Sequence, residues 1–180
     1  MFSRCNMGIM LIIDGYNLIH AIGLLPNAPR TTRWAAGKLQ QARETLLGLL
    51  KKDLSEANRR NTVVVFDALE PPDFLPDSFY DSGIHIVFSR DYNDADELII
   101  EMIQSFPKEQ NVVVISSDHR IQAYARRRKF PFYDSDQWYF GGMPLPKEDK
   151  KNASEPDKPD LANVLSEKDV SFWINYFNSK

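Results

Sequence analysis

The chain has 180 residues, of which 43% are hydrophobic, and this suits one domain with a substantial core. Its 22 basic and 25 acidic side chains give a formal charge of −3, which excludes a general electrostatic attraction to nucleic acid. Because the one cysteine, Cys5, excludes an internal disulfide, and no apolar run approaches the roughly 20 residues that span a membrane, we expect a cytoplasmic protein without membrane contacts.

Four short apolar runs predict the strands of a parallel sheet. They lie at residues 9–13, 63–66, 84–88 and 112–115. Their β-branched residues continue without polar alternation, which is typical of strands that are covered on both faces. A further short strand is predicted at residues 130–133.

Three helices are predicted between and after these strands. The apolar spacing of residues 32–58 indicates one long helix, and residues 118–129 indicate another. In residues 94–106 the apolar side chains fall in one sector at 100° per residue, so this sector is expected to face the sheet. The order β-α-β-β-α-β-α-β predicts a three-layer α/β/α sandwich with a mostly parallel sheet.

The composition changes near residue 140. Proline, lysine and acidic residues dominate residues 141–165, which predicts a linker or an irregular tail. The apolar residues of 166–180 share a helical face, and this predicts a short amphipathic helix that docks on the domain or binds a partner. We therefore divide the chain into an N-terminal extension (1–8), one domain (9–140), this linker and the C-terminal helix.

Acidic residues follow the predicted strands. Asp14 and Asp67 come directly after the first two, Asp118 comes three residues after the fourth, and the third leads to Asp94 and Asp96. Because the carboxyl ends of parallel strands meet at one end of the sheet, where open α/β folds bind ligands, these side chains are expected to lie close together. Each also has a structural explanation, since aspartate commonly begins turns and caps helices.

Such a group of carboxylates points to a metal ion. Like charges raise each other's pKa, and a divalent cation removes this penalty. Mg²⁺ and Mn²⁺ prefer oxygen ligands, and Mg²⁺ commonly binds through one or two carboxylates, water and a substrate phosphate. The three histidines, His20, His85 and His119, are too scattered in the sequence to suggest zinc. The acids therefore predict a Mg²⁺ or Mn²⁺ site, whose natural chemistry is the hydrolysis of phosphodiester bonds.

Four motifs carry a family resemblance. They are DGYNLI at residues 14–19, VVVFDA at 63–68, DADELI at 94–99 and SSDHRIQ at 116–122. In this order they resemble the motifs of the YacP-like NYN domain family, relatives of the PIN-domain ribonucleases. The resemblance covers roughly residues 9–139. It implies a PIN-like fold, Mg²⁺- or Mn²⁺-dependent endoribonuclease activity and an RNA substrate, with some members acting on mRNA at the ribosome.

The resemblance also implies roles for single residues. Asp14, Asp96 and Asp118 stand at the acidic positions of the family, where they would be catalytic and hold the metal. Asn17 stands at its amide position, where it would orient water or phosphate. Asp67 matches the acid after the second strand, as an auxiliary metal ligand or a structural residue.

Residues that hold RNA are predicted around these acids. Ser117 and Gln122 match the last motif of the family and are expected to shape the metal or phosphate site. Arg90, which lies shortly before the third acidic motif, is expected to bind a phosphate. The ring of Tyr16 either stacks on a base or packs in the core. The basic run that includes Arg126 either contacts RNA or completes a helix C-terminus.

The leading hypothesis is thus a metal-dependent endoribonuclease that acts on single-stranded RNA. A catalytically weak RNA-binding or ribosome-associated module with the same fold is the first alternative. A small-molecule phosphohydrolase is the second, but DGYN lacks an aspartate two residues after Asp14, as haloacid dehalogenase-type enzymes require. The sequence also lacks a glycine-rich Lys-Ser/Thr loop for nucleotide hydrolysis.

Overall fold

A computed structural model describes residues 8–26, 37–68, 76–108 and 110–145. Residues 1–7 of the predicted extension, most of the predicted linker and the C-terminal helix at 166–180 lie outside the described residues. The strands are β1 (Met10–Asp14), β2 (Thr62–Phe66), β3 (Ser78–Asp81), β4 (Ile84–Phe88), β5 (Val112–Ile115) and β6 (Phe132–Tyr133). The helices are α1 (Gly15–Ala21), α2 (Lys38–Asp53), α3 (Glu56–Arg60), α4 (Ala95–Ser105), α5 (His119–Arg128) and α6 (Ser135–Phe140).

The strands form one mixed sheet in the order β3-β4-β2-β1-β5-β6. β1 pairs with β2 and β5 in parallel, β2 with β4 and β5 with β6 also in parallel, and only β3 is antiparallel to its described neighbour. The four predicted apolar strands are buried along their whole length. This agrees with their unbroken apolar sequences, because a strand covered on both faces has no position for a solvated side chain.

The core lies on both faces of this sheet. Successive strand residues point to opposite faces, so alternate residues of one strand belong to different layers. On one face, Leu11 and Ile13 pack with α1, α2 and the fully buried Trp138 of α6. On the other face, α4 packs over β1 and β2 and against α5. The predicted three-layer arrangement is therefore confirmed.

The helices after β4 and β5 confirm the sequence-based boundaries. α4 begins after Asp94 and buries the apolar sector that periodicity predicts, with Leu98 and Ile103 nearly inaccessible. α5 begins after Asp118 and ends at a left-handed Lys129. No helix in the described ranges is both long and apolar enough to cross a membrane.

Three elements differ from the prediction. The long helix predicted at 32–58 is two helices, α2 and α3, because the chain extends at Leu54 and Ser55 caps α3 by accepting the N–H of Asn58 at 3.2 Å. α1 was not predicted, since its seven residues directly follow a strand without a linker. The predicted strand at 130–133 is shorter, as β6 contains two residues.

β3 was not predicted either. It is a four-residue edge strand whose side chains are half-buried or exposed, so it lacks the apolar run that marks the inner strands. A two-residue turn joins it to β4, with φ of 54° at Ser82 and 92° at Gly83. Two positive φ angles in a two-residue hairpin match the twist of antiparallel strands.

Candidate active site

Asp14 lies at the carboxyl end of β1, in the middle of the sheet between β2 and β5. Its side chain does two things. Oδ1 accepts the backbone N–H of Asn17 at 3.2 Å and so caps α1, while Oδ2 accepts the hydroxyl of Ser116 at 3.0 Å. The second bond follows from the register, because Ile13 pairs with Ile115 and the next residue of each strand is therefore adjacent. A buried strand thus ends in a carboxylate that begins a helix and joins two loops.

Burial changes the acidity of this carboxyl group. Asp14 is 6% exposed, and burial raises its pKa from 3.8 to about 7, although the bonds from Asn17 and Ser116 act to lower that pKa. The negative charges of Asp96 and Asp118 raise the pKa further. Acids from two other motifs therefore act electrostatically on Asp14 at this end of the sheet.

Gly15 allows this helix to begin so close to the sheet. A Cβ atom on Gly15 would lie 2.3 Å from a ring carbon of Phe66 and 2.9 Å from the carbonyl oxygen of Val65. Both are shorter than any normal carbon contact, and the second involves backbone. The glycine of the DGYN motif is therefore needed for the packing of α1 against β2, which sets the position of the Asp14 side chain.

Ser116 connects Asp14 with Asp118. Its hydroxyl oxygen donates to Asp14 and accepts the backbone N–H of Asp118 at 3.1 Å. Asp118 caps α5, since its Oδ1 accepts the N–H groups of Arg120 at 2.7 Å and Ile121 at 3.1 Å. The structural explanation and the functional one therefore both apply to Asp118: it caps a helix, and its charge acts on Asp14.

Asn17 holds a neighbouring part of the site together. Its Oδ1 accepts the N–H of Ser117 at 3.0 Å and the hydroxyl of Ser135 at 2.7 Å. Ser135 in turn donates its backbone N–H to the hydroxyl of Ser117 at 3.0 Å. The carbonyl oxygen of the Asn17 amide is thus engaged by two protein donors, which leaves its NH₂ group as the part that can meet a phosphate oxygen.

Gln122 forms a parallel cross-link one turn along α5. Its Nε2 donates to the carbonyl oxygen of Ser116 at 2.8 Å and to Oδ1 of Asp134 at 2.7 Å. The side chain is almost fully buried. These bonds fix the loop after β5 to the loop after β6, so the observed contacts of Gln122 are structural.

The remaining acids lie at the same end of the sheet in different settings. Asp94 caps α4 by accepting the N–H of Glu97 at 2.9 Å, and Asp96 lies in the first turn of that helix. Asp67 follows β2 and is half-buried. The next residue, Ala68, donates its N–H to the hydroxyl of Ser89 at 3.3 Å, which joins the loops after β2 and β4.

The fit of this site to a divalent cation rests on Asp14. Among the described residues, no group of three or more Asp, Glu, His or Cys side chains is close enough to hold a metal ion directly. The acids are therefore not arranged as a complete ligand set. A buried carboxylate with two further negative charges acting on it nevertheless matches an ion that binds through one or two carboxylates and retains its water. The residues present fit Mg²⁺ or Mn²⁺ in that mode.

Two of the predicted RNA-binding side chains contact protein groups. Nε of Arg90 pairs with Oδ1 of Asp77 at 3.1 Å. The hydroxyl of Tyr16 accepts a hydrogen bond from the buried Arg43, and its ring meets that of Phe66 edge-on at 5.4 Å between centroids. Of the two alternatives for Tyr16, the structure supports packing against the core.

Arg126 lies away from the acids. It is eight residues after Asp118 on α5, which corresponds to about 12 Å along the helix axis. β6 follows α5 and runs parallel to β5, so the C-terminus of α5 is at the opposite end of the sheet from Asp118. Asp96 and Asp118 lie near enough to Asp14 to raise its pKa, whereas Arg126 is not adjacent to Asp118.

Sequence reasoning missed Ser116, Asp134 and Ser135. Ser116 lies inside the SSDHRIQ motif, directly before the predicted site residues Ser117 and Asp118. Its position after a buried strand was the available signal. Nothing local marks Ser135. Its contact with Asn17 depends on the pairing of Ile115 with Tyr133, which brings the residues that follow β5 and β6 side by side.

Comparison with known proteins gives one family and one fold. Residues 11–173 match the family model described as YacP-like NYN domain. Two solved structures of Rae1 (YacP) from Bacillus subtilis are similar at 21% identity over 75% of this chain. One, a mutant, has a TM-score of 0.51 with 75% of its chain covered, and the other 0.55 with 74%. No curated protein matches the sequence.

Proposed function

The chain belongs to the YacP-like NYN domain family, and on this basis we propose that it is a metal-dependent endoribonuclease that hydrolyses single-stranded RNA. The observation that carries the proposal is Asp14, a buried carboxylate whose pKa is raised to about 7 by burial and by the charges of Asp96 and Asp118. Keeping such a group ionised in the interior is costly unless a cation binds to it.

In this proposal Asp14, Asp96 and Asp118 would hold Mg²⁺ or Mn²⁺, one or two of them directly and the rest through water retained by the ion, with Asp67 in support. When bound, the ion activates water and stabilises the leaving oxygen of the phosphodiester. The chain's own residues provide the positions. The bonds of Ser116 hold Asp14 at a defined place beside the first residues of α5.

The proposed role of Asn17 follows from its two acceptor bonds. Because Ser117 and Ser135 hold its carbonyl oxygen, the orientation of the amide is defined, and its NH₂ group can donate to a phosphate oxygen. Ser117 is then a positioning residue for Asn17, and Gln122 for the loop after β5. Arg90 is proposed to reach a phosphate, in exchange for or in addition to its pairing with Asp77.

The family resemblance extends the proposal to mRNA at the ribosome as a substrate and to the cytoplasm as the location. Action at the ribosome can be tested separately from catalysis. A chain that cleaves free single-stranded RNA but does not associate with ribosomes retains the nuclease proposal and loses the ribosomal one.

Cleavage of a labelled single-stranded RNA by the full chain tests the proposal. With Mn²⁺ or Mg²⁺ the wild type should cut internally, and Asp14→Asn should abolish cutting with RNA binding largely retained. Asp53→Asn is the matched control, because it makes the same change at an exposed carboxylate at the end of α2. Equal cleavage by the wild type and Asp14→Asn would overturn the assignment. RNA binding without cleavage under any divalent ion would favour the RNA-binding module.

A further inference from the structure

The outer face of α5 carries basic and aromatic residues in an ordered row. Arg120, Tyr124 and Arg127 are spaced i, i+4, i+7, so they lie along one face of the helix. This face is opposite the buried side of α5, where Ile121 and Ala125 pack. The row begins two residues after Asp118 and ends at the far end of the sheet.

The arginines at the end of α5 are fixed by aromatic rings. The distances from guanidinium carbon to ring centroid are 5.2 Å for Arg126 over Phe132, 5.2 Å for Arg127 over Tyr124 and 5.6 Å for Arg128 over Phe130. Arg128 also donates to the carbonyl oxygen of Phe106, so its role is structural. Arg126 and Arg127 are exposed.

These two exposed arginines have no acidic partner in the part of the chain that the structure describes. Cations at a helix C-terminus favour the helix dipole, and this accounts for their charge. It does not account for their attachment to rings. A guanidinium held with one face on a ring keeps its N–H edge directed outward, and this edge binds phosphate oxygens in pairs.

We propose that this surface, the α5 track (Arg120, Tyr124 and Arg127 on the outer face of α5, and Arg126 on the flank beside Phe132 of β6), binds the phosphates and one base of an RNA strand that extends beyond the cleavage site. The proposal rests on the nuclease function above, which supplies RNA as the ligand. The net charge of the chain is −3, so attraction of RNA has to be local, and the α5 track is a basic surface that starts beside Asp118.

The shape of the ligand follows from the length of the helix. Arg120 and Arg127 are seven residues apart, about 10 Å along α5. An RNA that covers both the acids and Arg127 therefore needs several nucleotides on one side of the cut. Because Tyr124 lies between the two arginines and carries the guanidinium of Arg127 over its ring, a base can stack on this ring–guanidinium pair, a contact that tolerates any sequence. Short RNA would reach the acids without reaching the end of the track.

RNA binding as a function of salt, measured with a long single-stranded RNA in the absence of divalent ions, tests the α5 track. Arg126→Gln with Arg127→Gln should weaken binding several-fold. It should also reduce the slope of log K against log salt by about 1.4, at about 0.7 for each phosphate contact on single strands. Lys52→Glu, which removes the same two units of charge at the exposed end of α2, should leave the slope unchanged. The double variant in which both arginines are changed to Lys keeps the charge and should retain most of the wild-type slope.

Cleavage separates a failure of this inference from a failure of the nuclease proposal. With metal present, the Gln variant should cut a short RNA as the wild type does and show a raised KM for a long RNA. An unchanged slope and KM in the Gln variant, with cleavage intact, would overturn the α5 track alone. Absence of cleavage by the wild type on either RNA would overturn the nuclease proposal, while the salt slopes would still report on the track.

Discussion

Ser135 donates its hydroxyl to the side-chain oxygen of Asn17 at 2.7 Å, although the two residues are 118 positions apart in the chain. Ser135 is fully buried, and its backbone N–H is also used, by Ser117. One bond thus connects α6 to α1, and the other connects α6 to the loop after β5. The orientation of the Asn17 amide thus depends on Ser135, which lies far outside the DGYNLI motif that contains Asn17.

Replacing Ser135 by Ala should destabilise the protein by about 1–2 kcal/mol, because a buried acceptor loses one of its donors. It should also lower cleavage more than its stability loss explains, since the Asn17 side chain is then held by the N–H of Ser117 alone. Denaturant unfolding and kcat on a short RNA measure the two effects. Ser105→Ala is the control, because its exposed hydroxyl bonds only within α4 and its loss should cost less than about 0.5 kcal/mol. Unchanged stability and kcat in Ser135→Ala would contradict a positioning role.

Gly15→Ala should destabilise the fold by about 1–3 kcal/mol, because the added methyl group has no room between Phe66 and the backbone of Val65. The matched control is Gly48→Ala in the middle of α2, where a Cβ meets nothing within 4 Å. Removing that glycine should stabilise the protein by about 0.5–1 kcal/mol. The two free energies of unfolding should therefore change in opposite directions, and a change of the same sign would refute the close approach of α1 to β2.

Asp14 should make stability depend on pH and on metal. Its pKa is raised to about 7 in the folded state, against 3.8 for the ordinary group, so the folded state holds the proton more tightly than the unfolded state. The associated stability is complete below pH 4 and is lost as pH rises through 7, by up to on the order of 4 kcal/mol. Without divalent ions at pH 8, Asp14→Asn should therefore melt above the wild type, and at pH 4 the two should be similar.

Addition of Mn²⁺ provides the second half of this experiment. The ion should raise the melting temperature of the wild type at pH 8 and have little effect on Asp14→Asn, because it replaces the proton at the same carboxylate. Asp53→Asn should respond like the wild type. An equal response to Mn²⁺ in the wild type and Asp14→Asn would exclude Asp14 as a ligand.

His85 should make the stability depend on pH in the opposite direction, at lower pH than Asp14 does. It lies in β4, stacked on Tyr80 at 4.5 Å between ring centroids, and burial lowers its pKa to about 4 from an ordinary 6.5. The folded state therefore disfavours the proton, and the stability is complete above pH 6.5 and lost as pH falls towards 4, by on the order of 3 kcal/mol. His85→Phe should lose less stability than the wild type between pH 7 and pH 4.5. Substitution of the exposed His119 by Gln should not change that loss, and the same loss in all three proteins would be inconsistent with a buried neutral His85.

The sequence was most informative where burial is uniform. The four inner strands and α4 follow from apolar runs and periodicity because both faces of a strand, or one stripe of a helix, must meet the core. β3 could not be recognised in this way, since an edge strand with half-exposed side chains carries no such pattern. α1 was missed because it begins within the motif, directly after the strand.

The same reasoning explains what was predictable in the candidate site. Asp14, Asp96 and Asp118 could be grouped from the rule that parallel strands deliver their carboxyl ends to one end of the sheet. Their roles as metal ligands stay predictions: Asp96 and Asp118 raise the pKa of Asp14, but the described residues contain no complete ligand set. Ser135 depends on which strand lies beside β5, and no local pattern in YDSDQ encodes that neighbour.

The pairing of β6 with β5 also has a consequence for protein synthesis. The ribosome makes Asn17 early and Ser135 late, so a nascent chain carries all four motifs before Ser135 can donate to Asn17. A polypeptide released or stalled before residue 135 would lack both bonds that Ser135 donates, to Ser117 and to Asn17. The order of translation therefore delays completion of the contacts around Asn17 until residue 135 has been made.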